Sequence, residues 1–120
     1  MKMIIAGGRK YTFTKSDVAF LDKLHKTSPI TEVVCGMAAG ADLSGRMWAL
    51  SRDIPIKEFP AEWDTYGKSA GIIRNTQMAA YADGLIAFPG GTGTDNMLAQ
   101  AREKGLLVFQ RLPSHNEEST

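Results

Sequence analysis

The segment Phe88-Pro89-Gly90-Gly91-Thr92-Gly93-Thr94 sets glycines and threonines where the apolar run Leu85-Ile86-Ala87-Phe88 gives way to a helical pattern. Strand, glycine loop and helix N-terminus, in that order, present open backbone N–H groups and the positive end of a helix dipole to an anion, most often a phosphate. Glycine at Gly90, Gly91 and Gly93 lets the backbone approach a ligand closely, and Thr92 and Thr94 add hydroxyl donors. A tight βα turn would account for the glycines alone. Their alternation with threonine favours an anion cradle.

Arg74 lies in the first turns of a helical pattern, within Gly71-Ile72-Ile73-Arg74-Asn75-Thr76-Gln77-Met78. A guanidinium near a helix N-terminus opposes the dipole, so a phosphate or carboxylate partner is expected to hold it; the plainer alternative is a solvated arginine. Asn75 beside it is a ligand donor or a backbone cap. Asp42 opens another helix, either as a carboxylate stabilised by the dipole or as an acceptor for ribose hydroxyls. Arg9, after Gly7-Gly8, is a second anion contact or a surface charge. Trp63 and Tyr66 occupy the longest polar connection, 60–69, where either ring could stack on a base or act as a lid; core packing of Trp63 is the competing reading. Trp48, inside an amphipathic pattern, reads as core.

Two nucleotide motifs are excluded. Gly67-Lys68-Ser69 resembles the end of a P-loop, but the required earlier glycine position is Glu62. Gly91-Thr92-Gly93 begins a dinucleotide fingerprint whose third glycine position is Asn96. No serine–histidine or cysteine–histidine pairing supports nucleophilic hydrolysis. One cysteine and no clustered histidine give no metal site, and no cofactor is expected.

The elements that must position these residues alternate strictly. Strand patterns run over 3–6, 32–35, 54–59, 85–88 and 106–109. A helix capped by Thr14 with Asp17 three residues on leads into Val18, Phe20, Leu21 and Leu24. A second helix, 41–52, is marked by Leu43, Met47, Trp48 and Leu50. The third spans 70–81 with Ile73, Gln77 and Ala80 at helical spacing, and the fourth, 95–104, ends at Gly105. Strict alternation implies a parallel sheet covered by helices on both faces. In such sheets ligands bind beyond the carboxyl ends of the strands, where strand order reverses. Gly7-Gly8-Arg9, Gly36-Met37-Ala38-Ala39-Gly40-Ala41-Asp42, Pro60-Ala61-Glu62-Trp63 and the glycine–threonine loop all fall on that edge.

At 120 residues, with 43% hydrophobic and 22% charged residues, the chain reads as one globular domain over 1–110 with a polar tail over 111–120. A net charge of +1 gives no broad reason to bind nucleic acid. Lone Cys35 excludes an intrachain disulfide and suits a reducing compartment. No apolar run is long enough to span a bilayer, and the start reads as a strand rather than a signal peptide. A cytoplasmic protein is the expectation.

Together the segments Ala6-Gly7-Gly8-Arg9-Lys10-Tyr11, Val34 to Asp42, Arg74-Asn75-Thr76-Gln77-Met78 and Phe88 to Thr94 resemble the SLOG superfamily, within it the small YspA-type, cpYpsA-related branch. The resemblance implies a three-layer Rossmann-like fold with strand order 3-2-1-4-5 and binding of a nucleotide or nucleotide-derived, ADP-ribose-like ligand. Gly8, Arg9, Gly36, Asp42, Arg74, Asn75 and Gly90 through Thr94 are the expected contacts. It also implies a homo-oligomer, a dimer or higher.

The related LOG phosphoribohydrolases cleave the N-glycosidic bond of nucleoside monophosphates. Their Arg-x-x-x-Met segment is matched by Arg74 and Met78. The glutamates after their Pro-Gly-Gly-x-Gly-Thr loop are Asn96 and Met97 here. Glycoside chemistry needs a carboxylate, which neither supplies. A binding module acting as sensor or sequestering protein is therefore the first expectation. An N-glycosidase using Asp95, Asp42 or Glu62 as substitute acid, with Arg74 assisting, is the second. The DNA-processing protein DprA shares the superfamily, but near-neutral charge argues against nucleic acid as the partner.

Overall fold

A computed structural model describes residues 1–36 and 39–112. Met37 and Ala38, within the expected Gly36–Asp42 turn, lie outside the described residues, as does the tail over 113–120.

The chain forms β1 (Lys2–Ala6), α1 (Lys15–Thr27), β2 (Glu32–Cys35), α2 (Ala41–Ser51), β3 (Ile56–Glu58), α3 (Trp63–Tyr66), a 3-10 turn over Gly67–Ser69, α4 (Ala70–Tyr81), β4 (Gly84–Ala87), α5 (Thr92–Glu103) and β5 (Leu107–Gln110). The strands make one parallel sheet in the order β3-β2-β1-β4-β5, as expected for a Rossmann-like fold. Central β1 alternates with period two: Met3 and Ile5 enter the layer shared with α1 and α2, whereas Ile4 and Ala6 enter the layer shared with α4 and α5. Met3, Ile4 and Ile5 are fully buried. Covering a large apolar side chain in this way stabilises by about 1.5–3 kcal/mol. No helix among the described residues is long and apolar enough to cross a membrane.

Helix α1 starts at a reciprocal cap: the Asp17 N–H donates to Thr14 Oγ1 at 3.1 Å, and the Thr14 N–H donates to the Asp17 carboxylate at 3.0 Å. Helix α5 stops at Gly105, whose φ of 73° suits glycine. The Gly105 N–H bonds the Arg102 carbonyl and the Leu106 N–H bonds the Ala101 carbonyl, which turns the chain directly into β5.

Three expectations need correction. The helix expected from 95 begins at Thr92, so Thr92, Gly93 and Thr94 form its first turn rather than a loop. The strand expected over 54–59 is only Ile56–Glu58, because β3 is an edge strand and Ile54 still bonds back to the Ala49 carbonyl. The buried faces of α2 and α4 are not wholly those the spacing marks, although Trp48 is core as expected. Leu43, Met47 and Leu50 are exposed, while Ala41, Gly45, Trp48 and Ala49 face the sheet. A Cβ on Gly45 would stand 2.8 Å from Ile5 Cγ2, so α2 approaches β1 through Gly45 and turns Leu43, Met47 and Leu50 outward. On α4 the buried positions are Ala70, Asn75, Met78 and Ala79, whereas Gln77 and Ala80 are exposed.

Candidate ligand-binding site

The strand order reverses between β1 and β4: after β1 the chain passes to the α1 face, and after β4 to the α5 face. The loops leaving these strands are tied together, with the Gly8 N–H donating to the Pro89 carbonyl at 2.8 Å. Beyond them lies an open cleft of about 740 Å³. That size falls within the ordinary range of small-molecule sites.

Most of the residues singled out from sequence meet in this cleft. Gly8, Arg9 and Asp42 line it from the β1 and α2 side, Arg74 and Asn75 from α4, and Gly91, Thr92, Gly93 and Thr94 from α5. Trp63 lines it from α3 and is 52% exposed, so its ring stands at the rim rather than in the core. Trp48 is core, its Nε1 donating to Asp22 at 2.9 Å. Asp95, Glu62 and Tyr66 are exposed and do not line the cleft. Buried Gly36 and exposed Gly90 do not line it either.

The glycines divide by what surrounds them. A Cβ on Gly90 would fall 2.2 Å from Thr94 Oγ1, so Gly90 is required by packing within the turn. A Cβ on Gly36 would fall 2.0 Å from Arg74 Nη1: the guanidinium lies across this glycine. At Gly91 and Gly93 an added Cβ would meet nothing within 4 Å, and neither has positive φ. Nothing inside the protein requires glycine there, yet both line the cleft.

Helix α5 has no side-chain cap at its N-terminus. Its first-turn N–H groups and the dipole's positive end are therefore available to an anion. Arg74 donates from Nε to Asn75 Oδ1 at 3.2 Å, and among the described residues no carboxylate comes within ion-pair distance of it. Asn75, 6% exposed, also donates from Nδ2 to the Gly93 carbonyl at 3.3 Å and to Asn96 Oδ1 at 3.1 Å. It fastens α4 to the first turn of α5. Beneath Gly36, the Cys35 thiol is pushed up to about 12, chiefly by burial and then by the negative charges of Asp42 and Glu58. It is a protonated, inert thiol.

Sequence reasoning missed Lys68, Ile72, Asn96 and Met97 as cleft residues. Lys68 belongs to the segment set aside for failing the P-loop spacing. The 3-10 turn over Gly67–Ser69 brings the lysine to the cleft without a P-loop. Arg9, Lys68 and Arg74 against Asp42 make the described lining net cationic.

Fold and cleft define a Rossmann-like α/β protein with an open cavity at the topological switch point. The chain belongs to the YspA, cpYpsA-related SLOG family, whose sequence model matches residues 1–66. It is also similar to the Gene 61 protein of Mycobacterium phage D29, at 31% identity over 119 residues, covering 91% of this chain and 95% of the phage protein. No solved structure gives a significant match.

Proposed function

We propose that the protein binds a nucleotide or nucleotide-derived molecule, one carrying phosphate and ribose in the manner of ADP-ribose, and serves as a sensor or sequestering module. The observation that carries this reading is the uncapped α5 N-terminus beside Gly91 and Gly93, whose missing side chains leave the cleft open where an anion would lie. Arg74, with no carboxylate partner among the described residues, supplies the counter-charge. In this reading the α5 turn holds phosphate, Asp42 accepts from ribose hydroxyls and Trp63 stacks on a base. Membership of the SLOG family supports it.

Calorimetry with AMP, ADP and ADP-ribose tests the proposal. Arg74→Ala is expected to weaken binding roughly 10- to 100-fold, the effect of losing a charge-assisted hydrogen bond. Unchanged affinity would remove Arg74 from the site, and no binding by wild type to any of the three would remove the reading.

One observation favours a second reading, N-glycosidic hydrolysis: Asp42 is a carboxylate that lines the cleft, whereas Asp95 and Glu62 do not. Release of free base from nucleoside monophosphates or NAD derivatives by wild type, and its loss in Asp42→Ala, would establish turnover. Two further attributes belong to the proposal. A cytoplasmic location fits the buried, unpaired Cys35. Self-association fits the exposed Leu43, Met47 and Leu50, which recur at helical spacing on α2.

A further inference from the structure

Between α4 and α5 runs a chain of side-chain amides whose orientations are fixed by backbone and guanidinium groups at its ends. The Asn75 atom 3.3 Å from the Gly93 carbonyl must be nitrogen, because a carbonyl only accepts. The Asn75 atom facing Arg74 Nε must be oxygen, because a guanidinium only donates. The Gln100 atom 3.2 Å from the Ile72 carbonyl must likewise be nitrogen. These two amide nitrogens converge on one atom of Asn96, at 3.1 and 2.9 Å. That atom is therefore Oδ1.

The consequence falls on the other half of the Asn96 amide. Its Nδ2 makes no hydrogen bond to any described residue, and Asn96 lines the cleft beside the first turn of α5. We infer that Asn96 is a ligand-contacting and specificity-determining residue: its Nδ2 offers a neutral, pre-oriented N–H pair to an oxyanion oxygen of the bound molecule. This deepens the anion-binding reading of the cleft and rests on it. A carboxylate here would keep both incoming bonds from Asn75 and Gln100 but turn an acceptor and a negative charge towards the anion. The asparagine thus selects for an acceptor-bearing ligand at a position where an acid would repel it.

The test uses nitrogen-15-labelled protein titrated with inorganic phosphate, reading side-chain and backbone amide resonances together. The Asn96 side-chain pair is expected to shift along with the Thr92 and Gly93 backbone amides, while the Asn75 pair, already bonded on both protons, stays. Asn96→Asp is expected to weaken phosphate binding by ~10-fold or more with an unchanged melting temperature, since both network bonds survive. If that variant does not fold, Asn96→Ala, which deletes the donor without adding charge, is expected to weaken binding ~3- to 10-fold. Shifts at Thr92 and Gly93 without one at Asn96, or a variant that binds as tightly as wild type, overturn the inference and leave the anion cradle standing. No shift at any of these groups overturns both.

Discussion

Arg74 owes its place to two neighbours. Gly36 removes the side chain that would collide with the guanidinium, and Asn75 accepts from its Nε. Gly36→Ala should therefore act at a distance of one side chain: the fold survives because the clash is with a flexible group, while Arg74 is displaced. Calorimetry on this variant is expected to show a loss of affinity approaching that of Arg74→Ala, with a nearly unchanged far-UV spectrum. Cys35 gives a second prediction at this scale. Its thiol is raised from 9.0 to about 12 in the folded state. The native protein thus retains a proton that the unfolded chain gives up above about pH 9, so this contribution is intact below pH 9 and lost as pH rises towards 12. Thermal melts across that window should fall more steeply for wild type than for Cys35→Ala. A parallel fall would assign the alkaline loss to other groups.

Helices carry most of the difference between what the residues announce and what the chain builds. The strand–helix alternation and the bounds of α4 were legible, because apolar period and capping residues are local signals, whereas the order of the sheet followed only from the family resemblance. The buried faces were not. Helices α2 and α4 bury alanines and Gly45 beside Trp48 and Met78, and close approach depends on what the sheet presents, which no local pattern reports. The start of α5 was obscured for the opposite reason. Glycine at Gly93 argues against helix by propensity, yet the N–H groups of that turn are the ones left open to the cleft. Gly93→Ala separates the two roles. Its helical backbone and empty surroundings predict stability unchanged or raised by up to about 1 kcal/mol, while the methyl group intrudes on the cleft. Denaturation combined with calorimetry is expected to show a protein at least as stable as wild type and weaker in phosphate or nucleotide binding. Equal affinity would remove Gly93 from the site.

For the whole molecule, the contact between the end of β5 and the start of α1 matters most. Arg111 donates from Nε to Asp17 at 3.0 Å and from Nη2 to Ser16 at 3.0 Å, and its guanidinium sits 4.8 Å from the Phe20 ring. Asp17 is 2% exposed and also holds the Tyr11 hydroxyl and the Thr14 N–H. Tyr11 in turn bonds Gly8 and stacks on Phe88, so one buried carboxylate links the last strand to the loop that carries Arg9. From sequence Asp17 reads only as a helix cap, because a partner 94 residues away leaves no local trace. Removing the guanidinium leaves that carboxylate buried without its cation. Arg111→Ala should cost roughly 1.5–3 kcal/mol, the range for a hydrogen bond to a charged group, measured as a lowered denaturant midpoint, and Arg111→Lys should recover part of it.

Trp63 and Trp48 are the chain's two tryptophans, one 52% exposed at the mouth of the cleft and the other 4% exposed on the buried face of α2. The protein therefore carries an optical gauge of occupancy together with its own internal reference. Emission from the wet indole should change when a molecule settles over it, while the dry one keeps a constant signal. Trp63→Phe should silence the response and leave the baseline, so that unlabelled protein can be screened against candidate compounds by its fluorescence alone.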